Sequence, residues 1–203
     1  AFIPALQVVL SPKQALNGAT VEASLQLGDI NINASNVYGL AFTFNYSNIV
    51  VDSTKTSIEF GPSWLGTAVD KISIAKDFPQ QGQIKAAITR IVHTNRSGFG
   101  EIGKVKLVIN TDNIDGKMYA TFPFEAYITS LVATDANGTP IDLNEGADTS
   151  EINYEPNAIV ETEAKIDFSV YPNPANQTVF VESKNAATCD FKLINTAGEV
   201  LQE

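Results

Sequence analysis

The stretch Asn36–Ser47, NVYGLAFTFNYS, limits what this chain can fold into more than any other. Tyr38, Leu40, Phe42, Phe44 and Tyr46 take alternate positions, with Val37, Gly39, Ala41, Thr43 and Asn45 between them. A period of two puts every large side chain on one face of a strand, which a helical period does not do. A face that apolar has to be covered by a second layer, so the expectation is a sheet packed on a sheet.

The surrounding sequence keeps the same rhythm. Ala5–Leu10 is a short apolar run ended by Ser11-Pro12, and Asn17-Gly18 is a turn before Val21, Ala23, Leu25 and Leu27 alternate with polar residues. Further strands are expected at Lys71–Ala75, Gln83–His93, Lys104–Asn110, Tyr119–Phe124, Tyr127–Thr134 and Asp148–Tyr154, with a turn at Asp135-Ala136-Asn137-Gly138. About nine strands at short spacing predict an all-β fold, a jelly-roll β-sandwich over residues 1–154. Residues 155–165, EPNAIVETEAK, are acidic, hold a proline and lack alternation, and so read as a linker. Strand patterning resumes at Phe168/Val170, Val179/Val181 and Phe191/Leu193, so residues 166–203 are expected to form a small, incomplete β-sandwich tail.

Charge and residue usage exclude several functions. The formal charge is −10 and no Lys/Arg cluster offsets it, which argues against nucleic acid as a partner. No run of about 18 apolar residues is present, so no membrane-spanning segment is expected. The single Cys189 makes no internal disulfide, and the single His93 ends a strand without a Ser or Cys partner motif. Catalytic motifs of the nucleophile-elbow, zinc-protease, phosphate-loop and dinucleotide types are missing. The acids Asp29, Asp52, Asp70, Asp77, Asp112, Asp115, Asp135, Asp142 and Asp148 are read as turn residues. Asn110–Gly116 looks like a calcium loop, but Ile114 stands where a ligand belongs and glycine comes one position late. The expectation is therefore no enzyme, no catalytic residues, no metal and no cofactor. Trp64, in the loop-like FGPSWLG, has two readings: a platform for a sugar ring, or a plug at one end of the sandwich.

The order of features from Val8 to about Tyr154 resembles the cohesin-like modules of the carbohydrate-binding-module superfamily. The resemblance is carried by Asn17-Gly18 with Thr20-Val21, then VYGLAFTFNYSNIVVD, then the late SGFGEIGKVKLVI. Where the family has Asp-Pro after the tyrosine, this chain has Ser47-Asn48. The resemblance implies a binding face on one sheet that would expose Ala41, Thr43 and Asn45, with Lys85 and Thr89 from a later strand. It implies a carbohydrate or protein ligand, a dockerin-like partner among them, and polysaccharide breakdown as the natural setting.

The tail carries a second resemblance. FSVYPNPA at Phe168–Ala175, then Thr178-Val179, then Asn195-Thr-Ala-Gly198-Glu-Val200 resemble the type IX secretion C-terminal sorting domain of Bacteroidetes. Tyr171, Pro172, Asn173, Pro174 and Gly198 would be its signature. Each proline fixes its own φ and holds the preceding residue out of helix, so Tyr171 and Asn173 enter the domain extended. The family's last strand is missing, so the resemblance implies a truncated domain with more chain after Glu203 in the parent protein. Together these expectations describe a non-catalytic recognition module, secreted or held at the outer-membrane cell surface, with the type IX machinery as a second partner. A purely structural spacer or surface-filament component is the alternative.

Overall fold

The computed structural model describes residues 2–111, 120–154, 168–171, 178, 180–183, 193–194 and 200–202. The chain divides into two compact units, Ala1–Pro156 and Asn157–Glu203.

The strands of the first unit are β1 Ala5–Ser11, β2 Gln14–Ala15, β3 Thr20–Leu27, β4 Ala34–Val37, β5 Gly39–Tyr46, β6 Ser57–Glu59 and β7 Lys71–Phe78. They continue with β8 Gln83–Arg90, β9 Arg96–Gly98, β10 Gly100–Val108, β11 Ala120–Thr134, β12 Pro140–Ile141, β13 Asn144–Glu145 and β14 Ala147–Tyr154. One sheet has the order β13-β1-β3-β10-β6; the other runs β2-β14-β11-β5-β8-β7, with β12 beside β11. Leu6, Val8 and Leu10 of β1, Val21, Leu25 and Leu27 of β3, and Val105 and Leu107 of β10 cover one inner face. Leu40, Phe42, Phe44 and Tyr46 of β5, with Ile84, Ile88, Phe124, Ile128 and Ile152, cover the other. The expected all-β jelly-roll sandwich is the observed fold.

Three details depart from the sequence reading, each for a local reason. Asn36, at φ 58°, lies within β4, which pairs with β9, and the chain passes to β5 at Tyr38. Alternation changes phase there: Val37 is buried and Tyr38 is half-buried, whereas the strict pattern put Tyr38 inside and Val37 outside. The two strands expected at 119–124 and 127–134 are one, β11, despite Pro123. Pro123 is tolerated because β5 pairs with β11 only from Ala126 onward, leaving one edge open beside it. Finally, Asp77 and Asp148 sit within β7 and β14 rather than in turns. Asp29, Asp52 and Asp135 do behave as turn residues, accepting from backbone N–H groups two to four residues on.

In the second unit, β15 Phe168–Tyr171 pairs antiparallel with β16 Phe180–Ser183, and β17 Leu193–Ile194 with β18 Val200–Gln202. The Tyr171 and Phe180 rings stack at 5.8 Å, and the Tyr171 hydroxyl donates to Glu182 at 3.3 Å. The two β-runs flanking the Pro-Asn-Pro segment are thus the arms of one antiparallel pair. Pro172, Asn173, Pro174, Gly198, Cys189, the 155–165 segment and the acids of the calcium-like loop lie outside the described residues.

Candidate functional site

The outer face of the seven-stranded sheet is where the sequence reading placed its contacts. Cross-strand register lines its side chains up in rows. One row is apolar throughout: Ile74 of β7, Ala87 of β8, Ala41 of β5 and Val132 of β11. Ile74 is 70% and Val132 60% exposed, so this stripe lies open to solvent. The next row is Lys76, Lys85, Thr43 and Thr129, and the one beyond it Phe78, Gln83, Asn45 and Tyr127. The Lys76 and Lys85 ammonium groups both lie over the Phe78 ring, 5.2 and 5.1 Å from its centre.

Lys85 and Thr89 are exposed, as expected. Thr43 and Asn45 are not: they are 7% and 6% exposed, against the expectation that they face solvent. Asn45 sits between the longer Gln83 and Tyr127, Thr43 between Lys85 and Thr129, and the polar groups of Asn45 are engaged within the sheet. Its Nδ2 donates to Thr129 Oγ1 at 2.9 Å and to the Tyr127 and Thr43 carbonyls at 3.3 Å. Its Oδ1 accepts from Gln83 Nε2 at 3.0 Å. Asn45 therefore joins β5, β8 and β11 from the outer side. What sequence reasoning missed are Ile72, Ile74, Lys76, Phe78 and Val132. The alternation of β7, KISIAKDF, was readable, but which face it put outward was not.

Trp64 stands apart from this face. It lies with Leu65 at the tip of a tight turn in which Ser63 and Gly66 exchange two backbone hydrogen bonds of 3.0 Å. Leu65 is wholly buried, and Trp64 packs against the core. Gly98 and Gly100 leave room for its ring; an added Cβ on Gly98 would meet Trp64 Cε3 at 3.3 Å. Arg90, itself buried, fastens this turn by donating to the Leu65 carbonyl, and its Nε donates to the Thr94 carbonyl at 2.8 Å. Asp70 lies 3.8 Å from Arg90 Nη1, and its carboxyl is held below the ordinary range by the Thr67 backbone N–H first, with Arg90 contributing. Burial pushes the Lys71 ammonium down, with Asp70 opposing; its Nζ donates to the Gly61 carbonyl. His93 is exposed at φ 42° and stacks on Tyr38 at 6.4 Å. Among the described residues no group of His, Cys, Asp and Glu is placed to hold a metal. No described helix is long and apolar enough to cross a membrane.

Comparison with known proteins bears on both units. Residues 169–203 match the family described as the secretion system C-terminal sorting domain. No curated protein matches the sequence. Solved cohesin modules share the fold. The cohesin of a type I cohesin–dockerin complex from Clostridium thermocellum is 16% identical with TM-score 0.58, covering 76% of this chain and 97% of that one. A type II cohesin domain from the cellulosome of Acetivibrio cellulolyticus is 16% identical with TM-score 0.56, covering 74% and 95%. The cohesin module of a Clostridium perfringens family 33 glycoside hydrolase is 14% identical with TM-score 0.54, covering 76% and 100%. At such identities the likeness establishes architecture alone. The chain thus joins a sandwich with the fold of cohesin modules to a segment matching a secretion-system C-terminal sorting domain.

Proposed function

We propose that this protein is a non-catalytic recognition module that binds a protein partner on the outer face of the seven-stranded sheet, and that it is exported by a type IX secretion system. The observation that carries the binding reading is the open apolar row Ile74–Ala87–Ala41–Val132 beside Lys76, Lys85 and Phe78. A contiguous apolar stripe rimmed by polar residues is typical of protein contact surfaces. Ala41 and Ala87 keep its centre low, so a partner element can lie across it. Lys85 and Thr89 supply polar contacts at the rim, while Thr43 and Asn45 act from beneath by holding the strands in register. The Clostridium thermocellum neighbour, solved as a cohesin–dockerin complex, supports a protein as the ligand. Export rests on the sorting-domain match and on Tyr171-Pro-Asn-Pro174, with secretion or attachment at the cell surface as the outcome.

A carbohydrate ligand, the other expectation, has less behind it, because Trp64 packs against the core instead of standing out as a platform. Polysaccharide breakdown as the setting rests on the cohesin likeness alone.

The experiment is a pull-down from the spent medium of the source organism with the wild-type chain and an Ala41→Glu variant, run beside a glycan array. The reading predicts a protein retained by the wild type and released by Ala41→Glu. Equal retention by both proteins, or binding to glycans instead, overturns it; retention of nothing leaves the spacer.

A further inference from the structure

The margins of the two sheets are not alike. The five-stranded sheet ends in β13, of two residues, and β6, of three; the seven-stranded sheet ends on one side in β2, of two. Short edge strands of this kind prevent sheets from adding to one another. The fourth margin is β7, eight residues long, paired with β8 alone among the described residues. Its middle, Ile72-Ser73-Ile74-Ala75, carries no charge and no proline, and Ile72 and Ile74 are 57% and 70% exposed.

Which backbone groups of β7 are unpaired follows from its neighbour. Arg90 directs its N–H to the Tyr38 carbonyl at 3.0 Å, on the β5 side, while Ile91 donates to the Asp70 carbonyl at 3.0 Å. Antiparallel alternation then turns the N–H and C=O of Ile72, Ile74 and Lys76 toward β8. Those of Ser73, Ala75 and Asp77 point out of the sheet, where they meet no strand among the described residues.

We infer that β7 is the interface for a second copy of this chain, the two β7 strands pairing antiparallel about a two-fold axis through Ile74. The sequence of the strand is self-complementary about that residue. Ile74 faces Ile74 of the second copy, Ser73 faces Ala75 and Ile72 faces the aliphatic stem of Lys76, while Lys71, buried with its ammonium on the Gly61 carbonyl, and Asp77, which accepts from the Tyr46 hydroxyl, keep their partners within each copy. No like charges stand opposite each other in this register. Ser73 and Ala75 form hydrogen-bonded pairs on both sides of the axis, so the outward groups just identified are the ones satisfied. Ile74 then lies in a non-hydrogen-bonded pair, where opposed side chains approach most closely.

This arrangement has a consequence for the outer face. Directly opposed residues of an antiparallel pair project from the same side of a sheet. The row Val132–Ala41–Ala87–Ile74 therefore meets its own symmetry mate end to end. Two separate stripes become one apolar band crossing eight strands, roughly 34 Å long at the usual strand spacing. A dimer of this kind presents a continuous two-fold surface that a monomer lacks.

The test uses the full-length chain. Analytical ultracentrifugation of the wild type from low to high micromolar concentration is expected to show a monomer–dimer equilibrium, and Ile74→Lys to remain monomeric, since it places two ammonium groups across the axis. In a Cys189→Ser background, Ile74→Cys is expected to form a disulfide-linked dimer on mild oxidation. The Cα atoms of such a pair lie about 4.5 Å apart, within disulfide range. Linkage should be at least tenfold faster than for Ile49→Cys, an exposed residue elsewhere, because paired thiols face each other at a high effective concentration. A wild type that stays monomeric, a dimer that survives Ile74→Lys, or Ile74→Cys that links no faster than Ile49→Cys overturns the inference. Partner binding is read separately through Ala41→Glu, so failure of one does not imply failure of the other.

Discussion

Asp148 Oδ2 accepts a hydrogen bond of 2.7 Å from the Leu10 backbone N–H, tying β14 of one sheet to β1 of the other. Lys13 donates to the same oxygen, and Thr149 N–H to Oδ1 at 2.8 Å. Burial works against this carboxylate, yet Lys13 and the two backbone donors together hold its pKa below the ordinary value. A carboxyl depressed in the folded state stabilises the fold above its unfolded pKa, and that contribution is lost as pH falls through the folded pKa.

Asp148→Asn should therefore cost about 1–2 kcal/mol at neutral pH, with the difference from wild type shrinking as pH falls below about 4. Urea unfolding of both proteins across that range measures it. A difference independent of pH would mean that charge plays no part in the link between sheets.

Arg90→Ala should cost about 2–4 kcal/mol, since it leaves the Leu65 and Thr94 carbonyls without their donor. Trp64 is the single tryptophan and sits on the turn that Arg90 fastens, so its emission should shift to the red in the folded variant. Unchanged emission with unchanged stability would show the turn to be held by other contacts.

Gly82 has φ 62°, and an added Cβ would lie 2.2 Å from the Tyr46 carbonyl oxygen. Backbone has to move to admit it, so Gly82→Ala should destabilise by about 2–4 kcal/mol in chemical denaturation.

Architecture and contact on the outer face should separate by mutation. Asn45→Ala removes the bonds to Thr129, Gln83 and the Tyr127 carbonyl and should cost about 1–3 kcal/mol of stability. Ala41→Glu, at an exposed position, should change stability by less than about 0.5 kcal/mol while abolishing partner retention. Thermal melts and the pull-down together distinguish these outcomes.

The sorting role is checked in a host with type IX secretion. Deleting residues 169–203 from the protein as its organism encodes it should leave it in the periplasm, while the undeleted protein reaches the surface or medium. Equal export of both would remove the role.

Legibility in the sequence followed the physics of each element. The alternations of β1, β3 and β5 identified their buried faces because the same residues recur every second position and one side chain set is large. At Val37 that rule failed, because Val37 belongs to β4, which pairs with β9 and not with the seven-stranded sheet, and no residue pattern announces the change. The break expected at Glu125-Ala126 is bridged because β14 pairs without interruption from Ala120 to Tyr127, which is a property of the partner strand.

Sequence alone determined the all-β class, the sandwich and the sorting motif. These depend on local periodicity, composition and short motifs, which neighbours in the chain carry between them. Tertiary structure decided the rest. Asn45 is a buried node instead of an exposed contact because Thr129, 84 residues away, brings its hydroxyl to the amide. The apolar row exists only because β7, β8, β5 and β11 pair in one register, and the β7 edge is open because no other strand among the described residues covers it. Side-chain identity is written in the chain; what stands opposite each side chain is set by pairing across it.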